Sequence, residues 1–276
     1  MDSLLQISWN VSPILVQFTE TFALRWYGIL FSLAYLISYY ILVKGFEKEG
    51  KSIEILEKIT LAAIIGGIVG ARLGHCMFYE PLRYIHNPIK ILYIWEGGLA
   101  SHGGGIGILL TFWFISRKYA LSFITILSRA MLCVPLGGAL IRIGNLFNSE
   151  IYGYPTNAPW GFIFNNSIDV QAGIEEAIPR HPTQIYEAIL YLLVFIILQW
   201  YYWKQIKNKA AISDYFIVGV FLIGIFLSRF VIEFFKQNQV SFENDMVLNM
   251  GQILSLPFIL FGIYALYKHF KQNQEI

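Results

Sequence analysis

The chain has 276 residues, of which 56% are hydrophobic, 17% aromatic and only 14% charged. A soluble domain carries about 25% charged residues, so this composition excludes an ordinary water-soluble globule and indicates a membrane protein. The net charge of +2 is too small for a nucleic-acid binder, so where the charges lie matters more than their sum.

The opening MDSLLQISWNVSP has no basic stretch ahead of an apolar run. No cleavable signal peptide is expected, and the first span serves as its own insertion signal. A spanning helix needs about 20 largely apolar residues. Such windows fall at 22–43, 58–79, 98–116, 122–141, 184–203, 214–235 and 249–268, predicting an all-α polytopic membrane protein with seven transmembrane helices. The third window opens on SHGGGIG, whose glycines suggest a half-buried or re-entrant turn that only protein or water could shelter. Between the fourth and fifth, residues 144–182 hold Pro155, Pro159, Pro179 and Pro182 among asparagines and glycines. That segment is expected to form a small external cap, with short strands near WGFIF, inserted in a single integral-membrane domain spanning 1–276. Lys44, Lys48, Lys51 and Lys58 follow the first window, Arg117 and Lys118 the third, Lys204, Lys207 and Lys209 the fifth, and Lys268 and Lys271 the last. The positive-inside rule then puts the N-terminus outside and the C-terminus in the cytoplasm. Cys76 and Cys133 lie within apolar windows, without metal-ligand spacing, and read as buried thiols.

Arg72, Arg129, Arg142 and Arg229 all fall inside apolar windows. A charge at bilayer depth costs about 3 kcal/mol on insertion scales, so four such arginines point to an anion, a lipid phosphate. Arginine suits that task because it is always charged and can fork onto phosphate. Arg142 precedes Asn145 by three residues, which places both on one helical face. Glu233 follows Arg229 at i+4 and either neutralises it or aims it at a pocket. Arg72 is balanced between ligand binding and pinning helices together. His102 is a candidate base or phosphate-positioning group, since imidazole titrates near neutral pH. Gly103 and Gly104 beside it would let a headgroup approach the backbone. Tyr27 and Tyr186 sit where aromatic belts place tyrosines in any case. His181, beside Pro182, is expected to order the start of the fifth span.

WEGGLASHGGGIG (95–107), IRIGNLFNSEIYG (141–153), RHPTQIYE (180–187) and SRFVIEFFK (228–236), with RWYG (25–28) and GARLGHCMFY (70–79), resemble the prolipoprotein diacylglyceryl transferases of bacteria. The resemblance covers nearly the whole chain, with its motifs in order. It implies that the diacylglyceryl group of phosphatidylglycerol moves to the lipobox cysteine of a prolipoprotein, forming a thioether and releasing glycerol phosphate. It also implies catalytic roles for His102, Arg142 and Arg229, and substrate-binding roles for Tyr27, Arg72, Gly103, Gly104, Asn145, Glu150, Gly153 and Glu233. The implied partners are phosphatidylglycerol and prolipoprotein signal segments, in a bacterial cytoplasmic membrane. No cofactor, metal or nucleic acid is expected, and the protein is expected to be a monomer. The chain departs from the family pattern at Ile141, Ser149, His75 and Arg129. Arg129 stands where an acidic residue is common, and is expected to find a carboxylate, Glu233 or Glu54, or water. Buried arginines alone would equally fit an anionic-lipid transporter or scramblase without chemistry.

Overall fold

The computed structural model describes residues 6–20, 22–237 and 246–274, apart from the side chain of Asn273. Three short strands come first: β1 (Ile7–Trp9), β2 (Ile14–Gln17) and β3 (Ala23–Arg25). Helices α1 (Trp26–Glu49), α2 (Ile53–Phe78), α3 (Pro81–His86), α4 (Ser101–Lys118), α5 (Phe123–Met131) and α6 (Val134–Phe147) follow, with two 3-10 turns between α3 and α4. Strand β4 (Phe162–Phe164) and the short α7 (Ile168–Gln171) precede α8 (Thr183–Lys207), α9 (Asp214–Ile232) and α10 (Met250–Gln274).

Most of each apolar window is helical, although β3 takes up 23–25 of the first, and among the described residues four helices, α1, α8, α9 and α10, are long and apolar enough to cross a membrane. The count is five if α5 and α6, bent at their break, form one span. That break corrects the expected continuous helix over 122–141. Pro135 lacks the N–H that would bond to the carbonyl of Met131, so it fits only the first turn of a new helix. Ser52 caps α2 and Ser213 caps α9, each hydroxyl accepting a first-turn N–H, while Lys48, Lys204, Lys207 and Lys271 sit in last turns where the helix dipole favours cations.

The chain forms two compact units, Met1–Tyr40 with Ala130–Ile276, and Ile41–Arg129. In the first, α8 packs on α6 and on α9, and α9 packs on α10. Ala139, Ala188 and Tyr191 form one buried cluster, with Ile143 and Ile225 against it. Leu146, Tyr152, Phe162 and Phe164 form another, covered by Trp9 and Ile185. The strand expected near WGFIF is β4, and its partner is β1, paired in parallel from Ile7↔Phe162 to Trp9↔Phe164. The Trp9 indole donates to the Leu146 carbonyl at 2.9 Å, and the Asn165 amide donates to Ser8 Oγ and Asn10 Oδ1. The N-terminal segment is thereby stitched onto the 144–182 region.

In the second unit α2 and α4 run antiparallel along a seam of glycines. A Cβ added at Gly70 would collide with the Gly103 carbonyl, and one at Gly74 would lie 2.9 Å from the Gly103 Cα. Small residues four apart let two helix backbones touch, which is how helices associate where lipid is the solvent. The expected turn at SHGGGIG is therefore corrected: helix α4 begins at Ser101, and Gly103 serves helix packing. Arg129 pairs with Glu49 rather than with Glu233 or Glu54, through Nε–Oε1 at 2.7 Å and Nη2–Oε2 at 2.8 Å. Cys76 and Cys133 are buried free thiols, as their windows implied.

Candidate active site

Arg142 lies near the end of α6, and its guanidinium is occupied on every nitrogen. Nε pairs with Glu187 Oε2 at 2.6 Å, Nη2 donates to Glu187 Oε1 at 3.5 Å, and Nη1 donates to Asn145 Oδ1 at 3.1 Å. The i, i+3 relation between Arg142 and Asn145 is thus realised as a hydrogen bond. Asn145 and Asn148 both donate to Glu150 Oε1, at 2.7 and 3.0 Å, and the fully buried Gln184 donates to the Glu150 main-chain carbonyl at 2.8 Å. Tyr27 lies directly on Gly144, where a Cβ would come within 2.7 Å of the tyrosine ring. Tyr27, Arg142, Asn145 and Glu150 therefore come together.

Glu187 holds this group in place and was absent from the expected site. It is 1% exposed, paired with Arg142 and hydrogen-bonded by the Tyr191 hydroxyl at 3.4 Å. A buried carboxylate persists only when paired. The cue was available in the sequence: Glu187 is an acid inside an apolar window, the same anomaly that marked the arginines.

Arg229 closes α9. Its Nε lies 3.6 Å from Glu233 Oε1, so the expected i+4 pair exists, but Glu233 is shared. Lys236 Nζ approaches the same oxygen at 3.1 Å, and Asn249 Nδ2 donates to Oε2 at 3.1 Å. Lys236 is the second residue that the sequence reading missed. The Arg229 side chain is 38% exposed, against 8% for Glu233, and no hydrogen bond engages its N–H groups among the described residues. The Tyr191 hydroxyl lies within electrostatic reach of both Arg142 and Arg229, which brings the two clusters into one neighbourhood of the first unit.

Gly153 packs between the cap and the end of α9. Its N–H donates to the His181 carbonyl at 2.8 Å, and an added Cβ would collide with the Phe235 carbonyl and lie 2.7 Å from His181 Cβ. His181 Nδ1 lies 3.2 Å from the Tyr186 hydroxyl, immediately ahead of α8, where it was expected to order the helix start. Burial lowers the His181 pKa. Behind it, Arg180 pairs with Glu175 at 3.0 Å and donates to Gln237 at 2.8 Å, while Tyr152 and Gln237 both donate to Glu175. Burial alone would raise the Glu175 pKa, but hydrogen bonds from Gln237 and Tyr152 and the Arg180 charge outweigh it and lower it.

The remaining candidates lie in the second unit. His102 is exposed in the first turn of α4, and Gly104 is buried 3.3 Å, at its notional Cβ, from the Gly67 carbonyl. Arg72 is 3% exposed and donates to four backbone carbonyls: Ile91 at 2.9 Å, Gly97 at 2.5 Å, Gly98 at 3.2 Å and Lys90 at 2.5 Å. These contacts tie residues 90–98 to α2 and so favour, of its two open readings, pinning through carbonyls. Among the described residues, no three His, Cys, Asp or Glu side chains are grouped as metal ligands.

The family profile described as prolipoprotein diacylglyceryl transferase matches residues 13–268. A Chloroherpeton thalassium protein named phosphatidylglycerol–prolipoprotein diacylglyceryl transferase is 41% identical over 275 residues, covering 99% of this chain and 98% of its own. A Porphyromonas gingivalis protein of the same name is 45% identical over 274 residues, covering 96% of this chain and 95% of its own. One from Tolumonas auensis is 41% identical over 256 residues, covering 92% and 94% respectively. With agreement of that extent, and with the Arg142 and Arg229 clusters assembled from the motifs that matched, the chain belongs to the prolipoprotein diacylglyceryl transferase family.

Proposed function

We propose that this protein transfers the diacylglyceryl group of phosphatidylglycerol to the lipobox cysteine of prolipoproteins. The observation that carries this is the family match over residues 13–268, which takes in both arginine clusters. In the reaction the cysteine sulfur attacks the glyceryl carbon bonded to phosphate. The C–S bond forms, the C–O bond breaks, and the electron pair leaves on the phosphate oxygen as glycerol phosphate. That leaving group gains charge, and fixed guanidinium groups in a desolvated site stabilise it. Arg142 and Arg229 take this role, with Tyr27, Asn145, Glu150 and Glu233 shaping the site around them. The thiol, with an ordinary pKa of about 8.5, must give up its proton. His102 is the group that takes it or that positions the phosphate.

The protein works as a monomer in the bacterial cytoplasmic membrane, without cofactor or nucleic acid. Seven spans cross, counting α2 and α4 as well as the bent α5–α6 pair, with the N-terminus outside, the C-terminus inside and residues 144–182 as an external cap. Purified protein given phosphatidylglycerol and a lipobox peptide should yield the thioether-linked diacylglyceryl product and glycerol phosphate. Lipid movement without product would favour the transporter reading instead. If His102 is the base, the deficit of His102→Gln should shrink as pH rises toward the thiol pKa, because the substrate then ionises unaided. A deficit that stays constant with pH assigns His102 to positioning.

A further inference from the structure

We infer that Lys236 is a positioning residue: by claiming the carboxylate of Glu233 it keeps the Arg229 guanidinium free for the phosphodiester of an anionic lipid. The inference rests on the transferase reading and names the residue that keeps one of that site's two arginines available to the anion. Arg142 is paired with the Glu187 carboxylate and linked through Asn145 to that of Glu150, and all three of its nitrogens are engaged. The group at the end of α9 has the reverse balance, with Arg229 and Lys236 around the single carboxylate of Glu233. Lys236 holds the closer and better buried contact, 3.1 Å with both side chains under a tenth exposed, and a desolvated pair is the stronger one. Asn249 occupies the other oxygen. The main chain fixes Lys236 there: Tyr154 N–H donates to the Phe235 carbonyl at 2.9 Å, and Gly153 bridges to Lys236 itself. Arg229 is left at 3.6 Å, partly exposed, with its hydrogen-bond donors unused among the described residues. Leu227, Val231 and Phe234, at the same end of the helix, are all more than 40% exposed. A cation with spare donors at a helix end whose other exposed side chains are apolar suits an amphiphile carrying a phosphate, more than a soluble anion.

The test uses the full-length protein in mixed micelles, with transfer to a lipobox peptide followed as the mole fraction of phosphatidylglycerol varies. Lys236→Met should release Glu233 onto Arg229 and raise the KM for phosphatidylglycerol about tenfold, the loss of one charge-assisted contact. Lys236→Arg should recover most of that loss. Lys236→Met combined with Glu233→Gln should also bring KM back toward wild type, because no carboxylate is left to neutralise Arg229. A lysine that merely packs would not be rescued by removing a second group. An unchanged KM in Lys236→Met, or a double variant no better than the single one, overturns the inference. Lys236→Gln carries the same expectations should the Met variant fail to fold. Binding of phosphatidylglycerol against phosphatidylcholine micelles, without peptide, separates the two claims. No thioether product from the wild type, with phosphatidylglycerol binding that still follows the order above, would sink the transferase reading and leave this inference standing.

Discussion

Arg142 and Arg229 carry the same charge near the ends of two helices, and their neighbours set them different tasks. Arg142 is half of a buried ion pair with Glu187, so Arg142→Ala removes a contact and also strands a carboxylate. Stranding a buried charge costs about 3–5 kcal/mol, and losing a cation at a developing phosphate charge costs about a hundredfold or more in rate. Arg142→Ala should therefore unfold at a lower temperature in detergent and lose transfer. Adding Glu187→Gln should restore the thermal stability but not the transfer, whereas recovery of both would reduce Arg142 to a structural role. Arg142→Lys should recover transfer only in part, since an ammonium cannot fork. At this scale the sequence showed which charges were anomalous but not what would meet them. The partner of Arg129 is Glu49, 80 positions away, and Arg72 spends itself on backbone carbonyls, which no residue pattern displays. Ser149, where the resemblance implies Gly or Gln, adopts φ 51, in the left-handed region that glycine alone enters without strain.

Helices were legible because period and length decide them, whereas their contacts depended on residues that looked like something else. The glycines of SHGGGIG suggest flexibility in one dimension and close packing in three. Gly107→Leu should separate α2 from α4, because even a Cβ there would collide with the Gly66 carbonyl, and overpacking of this kind costs about 1–3 kcal/mol or more. Gly105, two residues away with nothing within 4 Å of its notional Cβ, is the control: Gly105→Ala should stabilise helix α4 by about 1 kcal/mol. Equal losses in thermal unfolding at the two sites would discard the seam. The 144–182 region was recognisable by its prolines, but its pairing with β1 was not, since the two strands meet across most of the chain. Its ion network makes that region acid-sensitive. Glu175 and His181 both have lowered pKa values when folded, so the unfolded chain binds more protons and stability falls as pH falls. The His181 contribution is lost on acidification from about pH 6.5, and that of Glu175 from about pH 4.5 downward, each until its folded value is passed. Thermal unfolding followed from neutral to acid pH should show this decline, and Glu175→Gln should flatten its lower part.

For the whole molecule the open quantity is how often the chain crosses. α1, α8, α9, α10 and the bent α5–α6 pair satisfy length and hydropathy, while α2 and α4 carry Arg72 and the glycine seam. Both nevertheless expose rows of apolar side chains, Leu61, Ile65, Ile68 and Leu73 on α2 and Ile106, Leu110, Trp113 and Phe114 on α4. Such rows have no place in water, and they need no partner if lipid covers them. Arg72 is compatible with that setting because backbone carbonyls satisfy it internally. Five and seven spans share the same parity, so fusions at the C-terminus cannot separate them. The segment between α2 and α4 can. With seven spans residues 80–99 emerge outside, whereas with five they remain with the basic cytoplasmic loops. Asn87 is exposed in that segment, and both native cysteines are buried. A chain carrying Asn87→Cys should therefore react with a membrane-impermeant maleimide applied to intact spheroplasts, without permeabilisation. Labelling that requires permeabilisation would place α2 and α4 on the cytoplasmic side and take His102, in the first turn of α4, away from the outer surface where a prolipoprotein thiol arrives.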